Sequence, residues 1–203
     1  MGDFTDLQLD EACTLEGESH YRTWCDEHRT LGALQRLDVI MRHLGVALPD
    51  VVTADVATAF EEGILEHPPV LIPGAAETLE ELARTYRLGI ISDVGFSPGR
   101  VLRQVLEREG LLGMFDSLVF SDEAGRAKPH ADVFERTARK LEAAPFEIVH
   151  VGDLERTDII GAKNAGYYAI RFIGATPMDA DEKTIADAVT EDMSDVPRLI
   201  AAL

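Results

Sequence analysis

After His67-Pro68-Pro69 the chain alternates short β-branched runs with longer helical segments, and this alternation limits the fold more than any other feature. Four runs read as strands: Leu88–Ser92, Ser117–Ser121, Glu147–Asp153 and Tyr168–Ile173. Apolar residues at helical spacing fill the intervals, at Ala75–Thr85, Gly99–Glu109, Asp132–Leu141 and Asp158–Asn164. Strands joined through helices run parallel, and a parallel sheet needs cover on both faces. The expected fold class is α/β, a three-layer core around a parallel sheet. Ligands of such sheets bind beyond the carboxyl ends of the strands.

The stretch from about Ser19 to Glu66 follows a different grammar, helix after helix. His20–Trp24 opens the first, Leu31–Gly45 keeps an apolar stripe and ends on a glycine suited to a C-cap, and Thr53–Gly63 forms another. A small all-helical unit is therefore expected beside the α/β core.

Composition narrows the partners. The 203 residues hold 37 Asp+Glu against 19 Lys+Arg, a formal net charge of −18, which disfavours nucleic acid and anionic membranes. Apolar runs such as Val70-Leu71-Ile72 fall far short of the ~20 residues of a spanning helix. Two cysteines, Cys13 and Cys25, and no apolar leader after Met1-Gly2 point to a reducing cytoplasm. The expected form is a monomer or homodimer. Six histidines show no helical pair with a matching acid, so zinc is not expected and most read as bystanders.

Strand ends carry the chemistry. Ser92 ends the first run, Asp153 ends the third, and Lys128-Pro129 follows the second after a short loop. A serine, a lysine and an acid at strand tips suit a phosphate and a divalent cation. These residues resemble the haloacid dehalogenase-like superfamily over nearly the whole chain. Pro73–Leu79 looks like the family's re-entry into its core and Ile90-Ile91-Ser92 like its second motif. Gly125–Phe134 looks like the third motif, and Val151–Gly166 like the fourth. The resemblance implies a Rossmann-like core at residues 1–16 and 70–203 with an inserted helical cap at 17–69.

The first family motif, Asp-x-Asp-x-Thr, best matches Asp10-Glu11-Ala12-Cys13-Thr14, placed at the end of a polar strand Phe4–Leu9. Ala12 stands where most family phosphatases carry a second aspartate. A rival pair, Asp179 and Asp181, reads as a solvated turn. The resemblance implies that Asp10 attacks phosphorus to form an aspartyl-phosphate, with Thr14, Ser92 and Lys128 also catalytic. It implies that Ser92, Asp93 and Lys128 bind phosphate, and that Mg²⁺ is held by Asp10, the Ala12 carbonyl and Asp153, with Asp158 behind them. Asp158 reads equally as an aspartate at a helix start.

Phosphonate-cleaving members share alanine at the position of Ala12 but use a cap lysine. Here Lys128, Lys140, Lys163 and Lys183 all lie outside the cap. Dehalogenases lack the Gly-Asp pair seen at Gly152-Asp153. The expected function is Mg²⁺-dependent hydrolysis of a small phosphorylated metabolite, slow or specialised without the second acid. The alternative is a non-catalytic relative that binds a phosphorylated ligand or a protein partner. Arg22, Arg29, Arg36 and Arg42 are candidate anion contacts in the cap.

Overall fold

The computed structural model describes residues 4–175 and 183–203, so Asp179 and Asp181 lie outside the described residues. These residues form two compact units. One takes the described part of Met1–Pro68 with Asp93–Val105 and Phe120–Ala127. The other takes Pro69–Ser92, Leu106–Val119 and the described part of Lys128–Leu203.

The helical unit opens with α1 (Asp6–Glu27), so Phe4–Leu9 is not the expected strand. The Gln8 amide donates to Thr5 Oγ1 at 3.3 Å, and the Thr5 amide donates to Gln8 Oε1 at 3.0 Å. This capping box satisfies two backbone donors at once, and Asp6 in the first turn complements the helix dipole. A helix-start signal of this strength wins over a segment too polar for a central parallel strand. Residues 6–16 thus continue into the helical unit and do not join a sheet.

Two further helices complete the bundle, α2 (Ala33–Leu44) and α3 (Asp50–Glu66). Gly45 ends α2 in the left-handed region at φ 65°, where a residue without Cβ carries no steric cost. Ala33, Leu37 and Ala57 form a buried cluster, with Met41, Val56 and Phe96 packed against it.

In chain order the remaining elements are α4 (Ala75–Ala83), β1 (Leu88–Ser92), α5 (Gly99–Arg108), β2 (Phe115–Phe120), α6 (Ser121–Ala124), α7 (Ala131–Leu141), β3 (Val149–Gly152), α8 (Ile160–Asn164), β4 (Tyr168–Phe172), β5 (Ala188–Thr190) and α9 (Val196–Ile200). Strands alternating with helices give the α/β class expected. β3, β4 and β5 form a parallel sheet, with Val149 opposite Tyr168, Gly152 opposite Arg171 and Phe172 opposite Thr190. β1 pairs with β2 in a separate sheet. The single expected sheet is therefore in two parts among the described residues, because the segment expected to carry Asp10 is helical. β4 has a neighbour on each side and is nearly all buried, whereas no residue of β1 or β3 is fully buried.

Candidate active site

The α/β unit concentrates its charge where β3 ends. Past Gly152 the chain turns through Asp153 and Leu154 into one π-helical turn, Glu155–Ile159, and then into α8. The wider turn places Asp158 inward, 3% exposed, and such turns recur at functional sites. Asp158 Oδ1 accepts from Lys128 Nζ at 2.7 Å and lies 3.0 Å from His150 Nε2. Oδ2 accepts from the Leu154 amide and from Thr157 Oγ1, each at 3.3 Å. Burial alone would raise the Asp158 carboxyl, but the His150 hydrogen bond and the Lys128 charge outweigh it and hold the group well below the usual carboxylate range.

Gly152 makes room for this arrangement. A Cβ there would come within 2.5 Å of Asp158 Cβ and Cγ, closer than atoms tolerate. His150 lies two residues before Gly152 and so shares its face of β3. Its ring meets Phe134 edge-on at 5.6 Å. The sequence assigns His150 no role of its own, although its period-two relation to Gly152 is a signal. Arg171 was also missed. It is 1% exposed on β4, directly across from Gly152, and its Nε donates to the Asp153 carbonyl at 3.3 Å. Glu155 supplies its counter-charge at 3.6 Å.

Lys128 and Asp158 are thus in direct contact, Asp153 follows β3, and Ser92 is the last residue of β1, half-buried. Asp93 comes next, and its Oδ2 accepts from Trp24 Nε1 at 2.9 Å. The first-motif residues stand elsewhere. Asp10 is exposed on α1, and Thr14 Oγ1 donates to the Asp10 carbonyl at 2.8 Å, the local back-bond of a helical threonine. Ala12 is fully buried in the middle of α1, where carbonyls are used by the helical ladder. None of the three is at a strand end, because the segment expected as the strand Phe4–Leu9 belongs to α1.

The expected Mg²⁺ set is divided between the units, Asp10 and Ala12 on α1 and Asp153 and Asp158 after β3. Two of its members sit on α1, and both Asp158 oxygens already accept hydrogen bonds from the protein. Among the described residues no three His, Cys, Asp or Glu side chains group as a metal site. Asp153 is the one member left at a strand end.

A parallel sheet flanked by helices, with Lys128 of the third motif held by Asp158 of the fourth at a strand end, places the chain in the α/β class. The sequence profile described as haloacid dehalogenase-like hydrolase matches residues 19–173, and the chain belongs to that family. A glyceraldehyde 3-phosphate phosphatase of Methanothermobacter thermautotrophicus is 40% identical over 101 residues, 48% of this chain and 42% of that protein. The enzyme of the same name from Pyrococcus furiosus is 33% identical over 135 residues, 65% of this chain and 54% of that protein. The chain thus spans about half the length of these relatives, at 42% and 54%. A 2-haloacid dehalogenase structure from Pseudomonas syringae superposes with a TM-score of 0.70 at 25% identity, covering 99% of this chain and 83% of that one. Among the described residues no helix is long and apolar enough to cross a membrane.

Proposed function

We propose that this chain acts on a small phosphorylated metabolite as a phosphatase of the haloacid dehalogenase-like class, with Lys128 and Ser92 as its phosphoryl-binding groups. The Lys128–Asp158 contact carries this reading. Asp158 orients the ammonium from a buried position, and His150 and Thr157 fix Asp158 in turn, so that a compact positive charge stands ready for a phosphoryl oxygen. Ser92 and the amide that follows it offer donors of the kind that cradle phosphate. Two relatives named as glyceraldehyde 3-phosphate phosphatases support a phosphomonoester as substrate class.

The placement of Asp10 and Thr14 on α1 favours a second reading, in which the chain binds a phosphoester without turning it over. One experiment separates the two. Wild type, Lys128→Gln and Asp10→Asn are assayed for hydrolysis of glyceraldehyde 3-phosphate and of an aryl phosphate, and for binding of inorganic phosphate. Hydrolysis lost in Lys128→Gln and kept in Asp10→Asn supports the phosphatase. Binding that depends on Lys128 without hydrolysis supports the second reading, and no phosphate binding by the wild type refutes both.

A further inference from the structure

The loop after Ser92 is gripped by the helical unit at every turn. Trp24 of α1, the chain's single tryptophan, donates its indole N–H to Asp93 Oδ2 at 2.9 Å. The Val94 amide donates to Ser121 Oγ at 2.9 Å, and that hydroxyl is 2.7 Å from Thr30 Oγ1. Arg36 of α2 lays its guanidinium 3.6 Å over the Phe96 ring, and Phe60 of α3 stacks on the same ring at 5.2 Å with an interplanar angle of 21°. Arg36 is itself held from behind. Its Nη2 donates to Glu16 Oε2 at 3.1 Å, a second contact joins its Nε to Oε1, and both side chains are nearly buried.

A short loop held by one donor from α1, one cation from α2 and one ring from α3 has little freedom of its own. Each contact is modest singly: a hydrogen bond, a cation over a ring, a stacked pair. Together they order a segment whose backbone would otherwise be free to move at a strand end.

We propose that Trp24, Arg36 and Phe60 are positioning residues that clasp Asp93–Phe96 and so set the backbone following Ser92 for phosphate. The proposal rests on the phosphate-site reading above. Trp24 touches no reacting atom; it acts through Asp93.

The test is amide hydrogen exchange on the full chain, with and without inorganic phosphate, for wild type, Trp24→Phe and Phe60→Ala. Phenylalanine keeps a ring but removes the N–H donor, and Phe60 is partly exposed, so at least one variant stays folded, as judged by unchanged exchange in β4. The expected result is exchange in residues 93–97 faster by about fivefold in each variant, as loss of one such contact implies, with β4 unchanged. The phosphate concentration that half-protects this loop should rise by a similar factor of about five. Wild-type exchange rates at 93–97 in a folded variant would overturn the clasp, and faster exchange with an unmoved phosphate midpoint would overturn the positioning role. If phosphate protects no variant and not the wild type, the phosphate-site reading fails and the positioning role falls with it. The phosphate-free rates then still report whether the loop is clasped.

Discussion

Each of the two units buries a charge cluster, and the two clusters are built on opposite terms. In the helical unit Glu16 pairs with Arg36, one acid and one base, with His20 close to both charges and the face of the guanidinium closed by Phe96. In the α/β unit a single acid, Asp158, accepts from Lys128 and lies beside His150, and it also takes an amide and a hydroxyl. The first cluster is neutral and complete. The second gathers four donors on one carboxylate, two of them side chains that carry or can carry positive charge. A buried pair is therefore a poor mark of function until its partners are counted: one acid on one base braces helices, whereas one acid shared by a lysine and a histidine is the pattern the proposed site rests on.

The largest effect should come from the Asp158 cluster. Asp158→Ala leaves Lys128 beside His150 with no acid between them, and a loss of about 3 to 5 kcal/mol in denaturant unfolding at pH 7 is expected. The cost also depends on pH. The folded carboxyl lies below its ordinary value, so its contribution is complete above the usual carboxylate range and disappears as pH falls through that range toward the folded value. The gap between wild type and variant should narrow in acid.

Ala12→Asp comes next. An aspartate at a strand tip beside Ser92 would favour activity, but Ala12 is fully buried one turn from Glu16, so a new carboxylate there meets burial and a like charge. Destabilisation by about 3 kcal/mol, with no gain in phosphate hydrolysis, is expected in melts and assays of this variant. A rise in activity would restore the strand-tip placement.

Gly152→Ala should be milder, about 1 to 3 kcal/mol, since its Cβ would push Asp158 aside without removing any charge. The expected accompaniment is weaker phosphate binding by the folded variant, measured by calorimetry. Smallest is the response of the Glu16–Arg36 cluster to acid. Burial, and after it the charge of Arg36, lower the pKa of His20, against a smaller pull from Glu16. Neutral His20 thus stabilises the fold above its ordinary value, and the benefit is lost as pH falls through the lowered one. His20→Gln should flatten wild-type stability between pH 7 and 5, by less than Gly152→Ala changes it.

The same two regions differ in how openly they were written. Residues 88–172 alternate periods of two and near 3.6, and each strand or helix there is supported by local pattern as well as by motif order. β1 and β4 accordingly begin at Leu88 and Tyr168 as expected. Residues 4–16 offered only motif spacing. Their local signal, Thr5 followed by Gln8 with Asp6 between, favoured a helix, and locally consistent chemistry prevailed. β5 escaped notice because Ala188–Thr190 is a three-residue strand set among acids, too short for a period to show. Arg171 and the clasp on Asp93 could not be read at all, since pairing across β3, β4 and the loop brings together residues far apart in sequence.

The most direct test of the central claim, that the phosphate site is built on Lys128 and not on α1, is calorimetric titration of inorganic phosphate into wild type, Lys128→Gln and Asp10→Asn, all verified as folded. The account predicts affinity weakened about tenfold or more in Lys128→Gln and unchanged in Asp10→Asn. Phosphate binding that survives in Lys128→Gln and is lost in Asp10→Asn would contradict it.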